Sequence, residues 1–138
     1  MRLQIVRAPG YCTVYGYACD TKGKTRMIYR IAETRDWEAA QVSGYFASAD
    51  LAAEGFIHCC TARQIAAVGN RYYRGQEGLV LLEIDETQVH VPLQWEDLTH
   101  AGEQFPHVYG RIPRAALVRC LSFTPGPDGH FSCPPEVR

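Results

Sequence analysis

Leu79-Val80-Leu81-Leu82-Glu83-Ile84 is nearly all apolar, and its reading decides the fold. Apolar residues at both odd and even positions leave no polar face. That is the pattern of a strand buried on both sides. We place residues 79–84 at the centre of a sheet and read the chain outward from there.

Just upstream, Thr61 precedes a helical pattern and Gln64 follows three residues later, which makes a capping box. The helix spans 62–74 and stops at Gly75. Ile65, Val68 and Tyr72 recur at i, i+3, i+7 and predict its buried stripe. Arg63, Arg71 and Arg74 fall on a different face, within about 80° at about 100° per residue. Residues 56–60 read as a strand with Phe56, His58 and Cys60 on one face and Ile57 and Cys59 on the other. Residues 48–55 read as a small polar loop or helical turn, and 45–47 as a brief extended piece. Farther upstream, 27–31 is a short strand with Tyr29 and Ile31 on one face and Ile28 and Arg30 on the other. Thr34 caps a helix over 35–43, with Asp36 and Glu38 in its positive first turn and Gly44 after its end.

Downstream, 93–96 is a short strand, 97–106 a polar loop, and His107 begins another strand. Residues 112–116 form a helical turn, and 117–123 a last strand. Helices come early and strands crowd the second half, so the class is α+β rather than alternating βαβ. The domain spans 27–124. Residues 1–26 read as an extension outside the core. Residues 125–138 read as a loose tail, because Pro125-Gly126-Pro127-Asp128-Gly129 breaks structure.

Composition sets outer limits. A chain of 138 residues fits one domain that buries roughly two thirds of its unfolded surface. A net charge of −1 argues against general nucleic-acid binding, which needs a basic balance. No run approaches the ~18 apolar residues of a membrane span. Met1-Arg2-Leu3 leads into Gln, Arg, Pro and Gly, which form no signal-peptide core. The expected location is the cytoplasm, with thiols reduced. The six cysteines are scattered at 12, 19, 59, 60, 120 and 133 with no Cys-x-x-Cys pair, so free thiols are expected.

Two runs concentrate chemistry: Glu54-Gly55-Phe56-Ile57-His58-Cys59-Cys60-Thr61 and Phe105-Pro106-His107-Val108-Tyr109-Gly110. Three chemistries are compatible with them. Cys60 or Cys59 with His58 or His107 would make a thiol–histidine nucleophile. His58, Cys60 and His107 would make three metal ligands, though their spacing matches no zinc finger. A phosphate-bearing ligand would use His58 and His107 as polar contacts and Arg71 and Arg74 as forked guanidinium donors. Tyr109 or Trp95 would then stack on a ring, and Glu96 would be the acidic group. The plain alternatives are core histidines, a solvated arginine face, and Trp95 and Tyr72-Tyr73 as core. Two histidine runs, each flanked by aromatics and a turn, favour a shared site.

Ile-Tyr-x-Ile at 28–31, Gly-Phe-Ile-His-Cys at 55–59, Asn-Arg-Tyr-Tyr-Arg-Gly-Gln at 70–76, the apolar strand, Trp-Glu-Asp at 95–97 and Phe-Pro-His-Val-Tyr-Gly at 105–110 occur in that order. Together they resemble the small bacterial domain-of-unknown-function 952 family over residues 27 to about 121. The resemblance implies the fold of the ADP-ribosylation superfamily: a split, strongly bent β core with two main helices. That superfamily includes NAD-dependent transferases and RNA 2′-phosphotransferases. The resemblance further implies a cleft over the bent core with His58 and His107 near it. Arg30 matches a first-strand arginine that contacts NAD in one transferase branch. That branch follows it with a Ser-Thr-Ser strand, where this chain reads His58-Cys59-Cys60-Thr61.

Two functions are thus expected. In the first, the domain binds NAD or a nucleotide-like ligand without a metal, with transferase or hydrolase chemistry. His58, His107 and Glu96 are then catalytic, and Arg30, Arg71, Arg74 and Tyr109 bind the ligand. In the second, it is a non-catalytic module that senses a small anion or docks a protein. An enzyme requires His58, His107 and Glu96 to converge. Thiol titration of the denatured, unreduced protein should count all six cysteines; four or fewer would reopen the disulfide reading.

Overall fold

The apolar run lies where its lack of a polar face requires. In the computed structural model, which describes residues 26–137, β4 (Leu79–Asp85) is the middle strand of an antiparallel sheet. β1 (Met27–Glu33) pairs on one side and β8 (Leu117–Phe123) on the other. One polar side chain interrupts the run, and it is satisfied across the ladder. Tyr29, Glu83 and Arg119 are register partners on the three strands. Tyr29 Oη donates to Glu83 Oε2 at 2.9 Å and Arg119 Nε donates to Glu83 Oε1 at 2.8 Å. The Arg119 hydrogen bond holds the Glu83 carboxyl below its ordinary range. Burial, then the Glu83 hydrogen bond, pushes the Tyr29 hydroxyl up to about 12.

The alternation along β1 and β4 sorts the core into two apolar layers. Ile28, Ala32, Leu82 and Ile84 pack with Ala40, Phe46, Ile57, Val108 and Ile112. Tyr29, Ile31, Leu79 and Leu81 pack with Ile65, Phe123 and Phe131. α1 (Thr34–Ser43) lends Ala40 to the first layer and ends at Gly44, whose left-handed φ of 87° suits a residue without a side chain. Thr34 is the first helical residue rather than the cap. Its hydroxyl instead donates to the Gly78 carbonyl at 2.7 Å, which ties α1 to the entry of β4.

The rest of the chain forms two smaller antiparallel sheets. β2 (Tyr45–Phe46) pairs with β7 (Ile112–Pro113). β3 (Ile57–His58), β6 (Phe105–Val108) and β5 (Leu93–Glu96) make a sheet ordered β3–β6–β5. The segment expected to be a loop or turn contains α2 (Ala49–Glu54), closed by Gly55 at φ 92°. The strand expected over 56–60 is shorter, because after Cys59, whose N–H still donates to the Pro106 carbonyl of β6 at 3.0 Å, the chain bridges to β1. Tyr29 and Cys60 exchange both backbone hydrogen bonds at 2.8 Å. The turn expected at 112–116 divides into β7 and a 3-10 turn at 114–116. Among the described residues, then, the class is α+β, with eight strands in three antiparallel sheets and three α-helices.

The helix expected over 62–74 is a 3-10 turn at 62–64 followed by α3 (Ile65–Tyr72). Its capping box is present, with Thr61 N–H donating to Gln64 Oε1 at 2.9 Å. Its buried stripe differs from the expected one. Ile65 and Gly69 are buried and Tyr73 packs on the same layer, whereas Tyr72 is 63% exposed. Gly69 sets this rotation. A Cβ there would sit 3.1 Å from Phe123 Cζ and from Phe131 Cβ, so the aromatic pair can approach the helix only at this residue.

Phe131 comes from the segment expected to be a loose tail. The breakers do prevent a regular element, but the segment is docked. The Phe131 ring stacks on Phe123 at 4.5 Å and 11°. Asn70 holds its backbone from both sides, donating to the Phe131 carbonyl at 3.0 Å and accepting its N–H at 2.7 Å. Farther along, Arg119 Nη2 donates to the Glu136 carbonyl at 2.9 Å. At the other end, the Arg26 carbonyl accepts from Glu86 N–H at 3.0 Å. The rest of the expected extension, with Cys12 and Cys19, lies outside the described residues. Cys59, Cys60, Cys120 and Cys133 are free. Among the described residues no helix is long and apolar enough to cross a membrane.

Phe131→Ala should cost about 3–5 kcal/mol, the scale for a buried Phe, and lower Tm by on the order of 10 °C. Tyr72→Ala should stay within about 0.5 kcal/mol. Thermal melts of the two variants check this; equal melting points would mean the tail is not core.

Candidate functional site

Strand register builds the site. His58 on β3 and His107 on β6 are direct antiparallel partners, so their side chains leave the same face of the sheet. The ring centroids lie 5.3 Å apart, nearly edge-on at 74°. Phe56 packs against both rings, 4.7 Å from His58 and 4.4 Å from His107, and 5.2 Å from Tyr109. It is buried and acts as the wedge that spaces the two imidazoles.

Each imidazole has its own carboxylate. His107 Nδ1 lies 2.8 Å from Glu96 Oε1, and Tyr109 Oη donates to the same oxygen at 2.7 Å. Glu96 ends β5, beside β6 in the ladder. Hydrogen bonds from His107 and Tyr109 hold its carboxyl below the ordinary range, and the bond to Glu96 raises the Tyr109 hydroxyl. On the other side, His58 Nδ1 lies 2.8 Å from Asp50 Oδ2, and the His58 N–H donates to that oxygen at 2.9 Å. Arg30 Nη1 donates to Asp50 Oδ2 at 2.7 Å and to the His58 carbonyl at 2.9 Å. Ser48, the N-cap of α2, donates its hydroxyl to Asp50 Oδ1. Burial alone would raise the Asp50 carboxyl. The His58 ring, Arg30 and the His58 N–H together hold it far below the ordinary range. A carboxylate on Nδ1 fixes the tautomer and turns the Nε2 lone pair outward.

The two dyads differ in exposure. His107 is 4% exposed, whereas the His58 side chain is 45% exposed. His58 Nε2 has Glu54 Oε1 at 3.5 Å. The structure thus brings His58, His107, Glu96, Tyr109 and Arg30 of the expected set together. Arg30, expected to hold phosphate, spends Nη1 on Asp50 and on the His58 carbonyl, and its Nε is buried without a partner. Arg71 and Arg74 are exposed and lie outside this network. The Arg71 guanidinium sits over the neighbouring Tyr72 ring at 5.5 Å, and the Arg74 stem lies beside Gly129. Trp95 carries the Arg26 guanidinium at 4.6 Å.

The thiol–histidine reading is corrected. Cys59 and Cys60 are buried, and burial pushes the Cys59 thiol up to about 12 and the Cys60 thiol higher still. Burial thus favours the neutral thiol in both, the opposite of what a poised nucleophile needs. The metal set of His58, Cys60 and His107 does not assemble; among the described residues no three His, Cys, Asp or Glu side chains are arranged to hold a metal ion. For a phosphate-bearing ligand, the donor set offers two imidazole edges side by side. Those edges suit a phosphoryl oxygen, while Arg30 is not a free clamp for it.

Asp50 is the member that sequence reasoning missed; Phe56 is expected on the face of His58 but without a role there. Asp50 falls in the stretch read as a small polar loop or helical turn, and nothing local links it to His58 eight residues on. The link depends on the reversal at Gly55, which folds α2 back along β3.

A family model described as protein of unknown function (DUF952) matches residues 31–120. The chain is similar to protein CC0527 from Caulobacter crescentus. The crystal structure of that protein shows 32% identity and a TM-score of 0.70, over 77% of this chain and 93% of that one. Its solution NMR structure gives 32% identity and a TM-score of 0.65, over 75% and 90%. No curated protein matches the chain. With most of the domain matched by the family model and the fold shared with these solved structures, the chain belongs to the DUF952 family.

Proposed function

We propose that the histidine pair binds a nucleotide-like ligand, NAD or a related phosphate-bearing molecule, and performs acid–base transfer or hydrolysis on it. One observation carries this reading: His58 and His107 face each other with each Nδ1 held by its own carboxylate. Packing needs at most one satisfied histidine here, and it does not need a half-exposed ring anchored to a partly buried Asp. Two adjacent imidazoles, one half-exposed and one buried, each anchored at Nδ1, are the parts of an acid–base pair.

In this reading neutral His58 takes the proton of a water or acceptor hydroxyl at Nε2. The freed oxygen lone pair forms the new bond to phosphorus, and the bond from phosphorus to the leaving oxygen breaks. That oxygen takes its proton from protonated His107, whose charge Glu96 balances. Tyr109 lines the base side of the ligand. Arg71 in the last turn of α3 and Arg74 just beyond it serve as outer contacts for an elongated molecule.

The test is a thermal-shift screen with NAD, ADP-ribose, mononucleotides and phosphorylated sugars, followed by variants. His58→Ala and His107→Ala should each weaken the best ligand by about 1–3 kcal/mol, the loss for a charged or buried hydrogen bond. Any turnover should show a bell-shaped pH profile that loses one limb in each variant. Saturable binding without turnover would favour a sensor of small anions. No binding by any of these compounds would overturn the proposal.

A further inference from the structure

We propose that Asp50 is the positioning residue of His58, and that Arg30 acts through Asp50 rather than on a ligand, which makes His58 Nε2 the proton acceptor of the pair. The inference deepens the acid–base reading above and rests on it for its use, but its geometry stands apart from any ligand.

Asp50 Oδ2 gathers the His58 ring, the His58 N–H and Arg30 Nη1, all within 2.9 Å. The His58 carbonyl is held by that same Nη1. Ring, backbone donor and backbone acceptor of one residue are thus tied to two partly buried groups, whose side chains are 12% and 11% exposed. His58 itself is the exposed member. Mobility is the default for an exposed ring, and here it is removed. The lone pair this leaves outward is on the one edge that solvent and a ligand can reach.

His107 contrasts with it. It is buried, and its carboxylate is shared with Tyr109. The charged and titratable groups facing His58 are Asp50 and Glu54 from α2, Arg30 from β1 and His107 from β6. Glu54 is exposed and, at 3.5 Å from Nε2, competes with a ligand for that edge rather than orienting the ring. Arg30 neutralises Asp50, so the carboxylate can stay buried beside the imidazole.

The experiment uses the ligand-free, full-length protein. Nitrogen-15 NMR of the histidine rings at neutral pH should show His58 as the Nδ1–H tautomer. Asp50→Asn should shift it toward the Nε2–H form, while Glu54→Gln and the His107 signals stay as they are. Acylation of His58 by diethyl pyrocarbonate, which reports the Nε2 lone pair, should slow by on the order of tenfold in Asp50→Asn, the scale of losing an orienting partner. Arg30→Lys, which keeps a cation beside Asp50, should restore most of the rate lost in Arg30→Met. If wild-type His58 is the Nε2–H tautomer, the proposal is wrong, whatever the variants do. It is also wrong if acylation proceeds at the wild-type rate in Asp50→Asn. Should Asp50→Asn fail to fold, the wild-type tautomer still decides. A blank ligand screen with an Nδ1–H His58 would sink the nucleotide reading alone.

Discussion

Tyr29 and Cys60 trade both backbone hydrogen bonds, and this bridge sets the geometry of everything around it. It docks the end of β3 onto β1 and so joins the small sheet to the central one. The antiparallel step from that bridge sets Arg30 opposite Cys59, one residue from His58, and one Nη1 reaches both the His58 carbonyl and Asp50. Without the bridge, β3 would have its two-residue pairing with β6 and the Cys59 N–H bond to Pro106. A ladder that short does not fix a side chain by itself. The same bridge buries Cys60, which removes the thiol from chemistry and commits it to packing.

The site is a set of charges neutralised in place. Asp50 is surrounded by an arginine, a histidine and a serine, and Glu96 by a histidine and a tyrosine. Burying an ion pair seldom adds net stability, because desolvation offsets the attraction. The fold accepts that cost near the exposed face of the histidine pair. The comparable network at Tyr29–Glu83–Arg119 binds three strands and the docked tail together. One network therefore serves the fold, while the other ends in an exposed imidazole.

Local chemistry made part of this legible in the sequence. The apolar run of β4, the Thr61–Gln64 box and the left-handed Gly44 each follow from neighbouring residues, and each stands where it was expected. The convergence of His58 with His107 was readable from two similar runs on two strands, and Glu96 from its place on the adjoining strand. What was illegible depends on contacts far apart in the chain. Tyr72 and Tyr73 have nearly the same propensity, and only the rings of Phe123 and Phe131 against Gly69 choose between them. Phe131 sits among breakers that mark a tail, but nothing near it reveals that Asn70 will hold it. Asp50 reads as part of a small polar loop or turn until Gly55 turns α2 back along β3. Arg30 reads as a ligand contact until its partner is known.

The central claim is that His58 and His107 form one ligand-binding unit. Ring resonances of the histidines, followed by NMR during titration with ADP-ribose, test it most directly. The account predicts that His58 and His107 move together along one saturating curve while His100 and His130 stay still. Movement of His100 or His130 alone, or a pair unmoved when the protein is saturated, would contradict it.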